Sequence, residues 1–249
     1  MTLTVRQFPC LSDNYGFLAR DEASGLVACI DTPDAEAIKR ELAAAGWDLH
    51  LILNTHWHPD HAGGNEALKA ATGCTVVGPA EVSRIAAPDR VVVHGDVVML
   101  GETRFDVIDT GGHTLGHVTF HDAADSIAFV GDTLFALGCG RLFEGDAQQM
   151  WASLQRIAQL PEDTTVYCAH EYTASNARFA LSVDDSEPLK TRAEAIFAAR
   201  ERGEPTVPTT IALELATNPF LRAPILRPDI ADPAEAFGAV RAAKDGFKG

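Results

Sequence analysis

The stretch Thr55-His56-Trp57-His58-Pro59-Asp60-His61-Ala62-Gly63-Gly64-Asn65 directly follows the apolar run Leu49-His50-Leu51-Ile52-Leu53. Three histidines and an aspartate fall within the six residues 56–61. Pro59 lacks a backbone donor and would clash with a preceding carbonyl, so the cluster is not a helix interior. This excludes the arrangement in which two histidines four apart share one face of a helix to hold zinc. In an extended or looped backbone His56, His58 and Asp60 point to one side and His61 elsewhere. Four diverging donors on one short loop suit two adjacent metal ions better than one. A merely solvated, histidine-rich turn has no need to follow a buried-looking strand.

Further donors stand at the ends of other expected strands, where loops on a rigid scaffold concentrate catalytic groups. His113 lies in Asp109-Thr110-Gly111-Gly112-His113-Thr114, after Arg104–Ile108. Asp132 lies in Val130-Gly131-Asp132-Thr133, after Ile127–Val130, and His170 follows Thr165–Cys168. A glycine beside each of the first two allows the tight turn that aims the side chain inward. The set His56, His58, Asp60, His61, His113, Asp132 and His170 can build two metal shells if one aspartate bridges and solvent fills the open positions. His50, His94, His117 and His121 lack such settings and read as structural or exposed.

Short strands are expected over Leu3–Gln7, Tyr15–Ala19, Leu26–Ile30, Leu49–Leu53, Thr75–Val77, Arg90–Val93, Val97–Leu100, Arg104–Ile108, His117–Phe120, Ile127–Val130 and Thr165–Cys168. Helices intervene. Thr32-Pro33 opens one with the stripe Ala35, Ile38, Leu42 and Ala45, closed by Gly46. Another spans Glu66–Ala71, ended by Gly73, and a third follows Asp146, with Gln149 as a capping-box partner, burying Met150, Leu154 and Ile157. Many strands with interspersed helices imply an α+β fold, two sheets covered by helices in a layered αββα arrangement. After His170 the chain turns helical over 171–203, then proline-punctuated, with a last helix near Pro233–Lys244. The expected division is a catalytic domain at 1–170 and a small helical domain at 171–249.

Composition bounds the function. The 249 residues carry a formal net charge of −15, which argues against a nucleic-acid partner. No apolar run approaches the roughly 18 residues of a membrane span. The start Met1–Pro9 lacks the basic and apolar segments of a secretory leader. Cys10, Cys29, Cys74, Cys139 and Cys168 are odd in number and contain no Cys-x-x-Cys pair, as expected of a reducing, cytoplasmic setting. Cys139, between two glycines, reads as a small buried side chain rather than a nucleophile.

Thr55 through His61 with His113, Asp132 and His170 resembles the signature of the metallo-β-lactamase fold. Three later stretches narrow the match: Gly138-Cys139-Gly140-Arg141-Leu142-Phe143-Glu144-Gly145, Cys168-Ala169-His170-Glu171-Tyr172-Thr173 and Asn218-Pro219-Phe220-Leu221-Arg222. So does Val240-Arg241-Ala242-Ala243-Lys244-Asp245-Gly246-Phe247-Lys248. Together they resemble the glyoxalase II, or hydroxyacylglutathione hydrolase, family over essentially the whole chain. The resemblance implies that His56, His58 and His113 hold one metal, Asp60, His61 and His170 the other, and that Asp132 bridges. It implies two divalent ions per chain, zinc or iron, while the nitrogen-oxygen donor set also suits manganese.

The implied reaction is hydrolysis of S-(2-hydroxyacyl)glutathione, such as S-D-lactoylglutathione, to glutathione and a 2-hydroxy acid, the second step of methylglyoxal detoxification. A metal-bridging hydroxide attacks, Asp60 orienting it beside the bridging Asp132. By the same resemblance Arg141, Phe143, Tyr172, Arg241 and Lys244 bind the substrate. Arg141 replaces a common lysine, and Phe143 replaces a frequent tyrosine and so loses a hydroxyl. Arg241 and Lys244, three apart, would share a helix face, whose bland reading is a solvated charged surface. The competing readings on this fold are a lactonase, a mononuclear iron persulfide dioxygenase or a non-enzymatic glutathione-binding relic. The expected protein is a monomer.

Overall fold

The computed structural model describes residues 3–248; Met1, Thr2 and Gly249 lie outside the described residues. The chain forms two compact units, Met1–Asp109 with Gly116–Gly131, and Thr110–Leu115 with Asp132–Gly249.

The first unit contains β1 (Leu3–Cys10), β2 (Asn14–Asp21), β3 (Val27–Ile30), α1 (Ala35–Ala45), β4 (Leu51–Leu53), α2 (Pro59–Ala62) and α3 (Asn65–Thr72). It continues through β5 (Thr75–Gly78), β6 (Arg90–Val91), β7 (Val97–Leu100), β8 (Thr103–Asp109), β9 (Val118–Asp122) and β10 (Ile127–Gly131). Strands β1 to β6 lie in sequence order in one sheet, antiparallel from β1 to β3 and parallel from β3 to β6. Strands β10, β9, β8 and β7 run antiparallel in a second.

Strands β3 and β4 are buried along their whole length, as parallel strands covered on both faces must be. Ile38 and Leu42 of α1 and Leu68 of α3 pack with Leu18, Cys29, Ile52 and Val76 on one face of the first sheet. Phe17 of β2 meets Phe129 of β10 at 5.8 Å between ring centroids, and Phe105 of β8 adds a third ring. The apolar seam between the two sheets is therefore aromatic.

Helix α1 is capped by Asp34, whose carboxylate accepts from the Glu36 and Ala37 amides. The expected cap, Thr32, is instead buried, its hydroxyl bonded to Asn65 Oδ1 at 2.8 Å. A carboxylate at the N-terminus also meets the helix dipole favourably, and the hydroxyl is left free to tie the donor loop.

The second unit holds β11 (Leu134–Phe135), β12 (Gly138–Cys139), α4 (Ala147–Ala158), β13 (Thr165–Cys168), α5 (Thr173–Val183) and α6 (Glu187–Glu201). Then come β14 (Thr209–Thr210), α7 (Ile211–Thr217), α8 (Ala223–Leu226) and α9 (Pro233–Asp245). Helix α4 starts at the expected cap, Asp146 accepting from the Gln149 amide, and buries Met150, Leu154 and Ile157. The helical stretch after His170 is two helices, broken where Asp184 Oδ1 accepts from the Ser186 amide. Leu137, Ala177, Ala180, Leu189 and Ala193 form the apolar contact of α5 and α6.

Candidate functional site

In the first unit the donor loop leaves the end of β4. Residues 54–58 form neither strand nor helix, and Pro59–Ala62 then closes a single turn of helix with proline at its start. The cluster, expected from the sequence to lie on an extended or looped backbone outside a helix, therefore ends in a helical turn that carries Asp60 and His61. Proline costs nothing at a helix's first position, because its missing donor would be unpaired there anyway. One consequence is that Asp60 and His61 are neighbours on a helical turn, with Asp60 Oδ2 3.6 Å from His61 Nε2.

His56 and His61 are buried, and His58 and Asp60 half-buried. His56 Nε2 and His58 Nδ1 stand 3.0 Å apart. Two nitrogens bound about 2.05 Å from one tetrahedral zinc lie ~3.3 Å apart, so the spacing fits a shared cation. Asn14 Nδ2 donates to Asp60 Oδ2 at 3.1 Å. His61 Nδ1 donates to Asp31 Oδ2 at 2.8 Å, so when the ring is neutral its Nε2 carries no proton. His117 is buried and stacks on His56 at 4.8 Å, which gives it a packing role. His50 and His94 are exposed.

In the second unit Asp132, at the end of β10, turns each carboxylate oxygen to a different histidine. Oδ2 lies 3.3 Å from His113 Nε2, and Oδ1 lies 3.3 Å from His170 Nε2. Each distance is that of two donors able to share one cation. His113 Nδ1 donates to the Arg141 carbonyl at 2.9 Å, which leaves its Nε2 bare. All three side chains are buried. Among the described residues, every histidine and aspartate belonging to a group of donors able to hold a metal ion is one of the seven expected from the sequence.

The residues expected to meet substrate also lie in this unit. The Tyr172 ring stacks on His170 at 4.7 Å and 2°, with Phe135 edge-on to both. Phe143 is 61% exposed and stands edge-on to His113 at 5.2 Å. Arg141 is exposed.

Arg241 and Lys244 do not form a solvated face. Arg241 is buried, donating from Nη1 to the Cys139 carbonyl at 3.0 Å and from Nη2 to Asp245 at 2.9 Å. Lys244 donates to Ser175 O and Oγ and lies over the Phe179 and Phe247 rings. Burial lowers its ammonium to about 8, and Arg241 and Arg141 push the same way against Asp245. Burial pushes the Cys139 thiol up to about 11, against the opposing pull of Arg241. That removes it as a thiolate nucleophile near neutral pH.

Asp31 and Asn14 are not among the residues expected from the sequence. Asp31-Thr32 closes β3 just as Asp132-Thr133 closes β10, and that repeated strand-end pair was the available signal.

A fold of paired sheets with histidines and aspartates at strand ends defines a class, the metal-dependent hydrolases of αββα architecture. Residues 28–170 match the family model of the metallo-beta-lactamase superfamily, and residues 171–247 match that of the hydroxyacylglutathione hydrolase C-terminus. The hydroxyacylglutathione hydrolase of Erythrobacter litoralis is 55% identical over 98% of this chain and 100% of its own. Among solved structures, ETHE1 from Myxococcus xanthus is similar with a TM-score of 0.71 and 29% identity, over 96% of this chain and 90% of that one. TTHA1623, solved in a di-iron-bound form, is similar with a TM-score of 0.64 and 26% identity, over 88% of this chain and 100% of that one. The chain belongs to the hydroxyacylglutathione hydrolase family of the metallo-β-lactamase superfamily.

Proposed function

We propose that this enzyme is a thioesterase that hydrolyses S-(2-hydroxyacyl)glutathione, such as S-D-lactoylglutathione, to glutathione and a 2-hydroxy acid. The observation that carries this reading is the match of residues 171–247 to the C-terminal model of that one hydrolase family. The superfamily match alone would leave the substrate open. In this reading residues 1–170 are the catalytic domain and 171–249 the substrate-binding one.

His56, His58 and His113 would hold one divalent ion, Asp60, His61 and His170 a second, and Asp132 would bridge them. The proposed metal is zinc, for which a mixed nitrogen and oxygen donor set is suited. Bound there, the two ions lower the pKa of water to about 7 and polarise the thioester carbonyl.

The chain's own groups do the rest. The Asp31 carboxylate and the Arg141 carbonyl each accept a hydrogen bond from an Nδ1–H, so in their neutral rings His61 and His113 carry no proton on Nε2. Asn14 steadies Asp60, which orients the attacking oxygen. The leaving thiolate has a conjugate acid near pKa 8.5 and departs without a protein acid. Lys244 and Arg141 meet the glutathione carboxylates, with Tyr172 and Phe143 as apolar walls. Arg241 adds positive potential while holding β12 through the Cys139 carbonyl.

The enzyme is further proposed to act as a cytoplasmic monomer without nucleic-acid partners. Five cysteines left unpaired and a net charge of −15 support that setting. Among the described residues no helix is long and apolar enough to cross a membrane.

The test is release of free thiol from S-D-lactoylglutathione by the purified enzyme. One thiol per thioester consumed is expected. Turnover of simple lactones in its place would transfer the site to a lactonase.

A further inference from the structure

The Asp31 carboxylate accepts three hydrogen bonds, all from the donor loop and its helical turn. Its Oδ1 takes the Thr55 amide at 2.8 Å, and its Oδ2 takes both the Thr55 hydroxyl at 2.8 Å and His61 Nδ1 at 2.8 Å. Asp31 is itself buried, as are Thr55, His56 and His61. The Thr55 hydroxyl has one proton, which goes to Asp31. Thr55 Oγ1 also lies 3.0 Å from His56 Nδ1. With its proton committed, that oxygen can only accept, so His56 Nδ1 carries the hydrogen and His56 Nε2 is the bare nitrogen.

The same carboxylate therefore decides which nitrogen two rings present, one directly and one through a hydroxyl. It reaches them because β3 and β4 are adjacent parallel strands, with Ile30 paired to Leu53, so both chains leave the sheet at one end. Asp31 then adopts a left-handed backbone, φ 56°, a strained conformation for a residue with a side chain. Its amide is held by the Leu53 carbonyl at 2.9 Å. Unlike glycine, aspartate at this corner spends a strained conformation on aiming a carboxylate at the loop.

We propose that Asp31 is a positioning residue that sets the Nδ1–H tautomer of both His56 and His61 before any cation arrives, so that both rings offer Nε2. This inference rests on the metal-dependent reading of the site. It extends that reading to a group outside the proposed ligand set, and Thr55 is the relay. In the neutral rings the carboxylate also raises the basicity of His61 as a ligand.

Two measurements on the full chain test it. Nitrogen-15 spectra of the metal-free protein, taken where histidines are neutral, report the tautomer of each ring. Competition titration with a chromophoric chelator reports zinc affinity. The wild type is expected to show both rings protonated at Nδ1 and to bind zinc. Asp31→Asn can accept on only one atom and is expected to lose the uniform tautomer of His61 and to weaken zinc binding about 10- to 100-fold. Thr55→Val is expected to release His56 alone, and Thr55→Ser to restore it. Should Asp31→Asn fail to fold, the Thr55 pair carries the test, because a merely structural role would not separate valine from serine in the His56 spectrum. Unchanged tautomers and zinc affinity in Asp31→Asn, or in Thr55→Val if only that variant folds, would overturn the proposal. A wild type that binds no zinc would instead overturn the metal-dependent reading beneath it.

Discussion

At the scale of single residues, Lys244 ties the substrate reading to pH. Its ammonium is lowered to about 8 from an ordinary 10.5, first by burial and then by Arg241 and Arg141. In the folded state the charge is present below about 8 and lost above it. KM for a glutathione thioester should therefore rise as the pH passes about 8, with kcat changing less, because lost uniform binding appears in KM. Lys244→Arg should remove that rise, since a guanidinium stays charged. A flat wild-type KM across this interval would take Lys244 out of substrate binding. Stability carries the opposite sign. A depressed lysine penalises the folded state below about 8, and the penalty fades as the pH climbs toward 10.5, so resistance to urea should improve slightly over that window. Asp132 is a sharper case: its two oxygens face two histidines. Asp132→Ala should lose bound metal and cut turnover by about 100-fold or more, since removing even an outer partner of such a ligand costs 10- to 100-fold. Retained turnover in that variant would remove it from the site.

At the scale of elements, the β11–β12 hairpin is held by a buried network. Glu214 of α7 accepts from the Leu137 amide at 2.9 Å and from Asn218 at 2.9 Å, and pairs with Arg192 of α6. Asn218 Nδ2 in turn donates to the Phe135 and Gly138 carbonyls. The hairpin leads directly to Arg141, whose carbonyl holds His113. Glu214→Ala leaves the Arg192 charge without its partner and should cost about 3–5 kcal/mol in urea unfolding. A loss below 1 kcal/mol would show that the hairpin does not depend on it.

This network also shows what was legible in the sequence. The strands carrying His56, His113, Asp132 and His170 stood out because apolar runs alternate with turn residues, and local patterning records such elements. The hairpin did not, because β11 and β12 are two residues each, too short for a period, and held by Glu214 and Asn218 about 80 residues away. Asp31 was hidden for the same reason. Its partners Thr55 and His61 are 24 and 30 residues distant, and only strand pairing brings them together. Thr32 misled because a hydroxyl before proline is a good helix cap in isolation, whereas here Asn65 claims it.

At the scale of the whole molecule, the five cysteines are buried, and burial raises Cys10 and Cys168 to about 12 and Cys139 to about 11. A disulfide reagent should titrate no rapidly reacting thiol in the native protein and five after denaturation; a fast native thiol would contradict the packing of these cores. A dinuclear centre is proposed to perform the thioester hydrolysis. It is tested most directly by measuring metal content together with turnover of S-D-lactoylglutathione and oxygen uptake on the same preparation. Two divalent ions per chain, thiol release and no oxygen uptake are the expected result. A single iron per chain, with oxygen consumed and the thioester left intact, would contradict it.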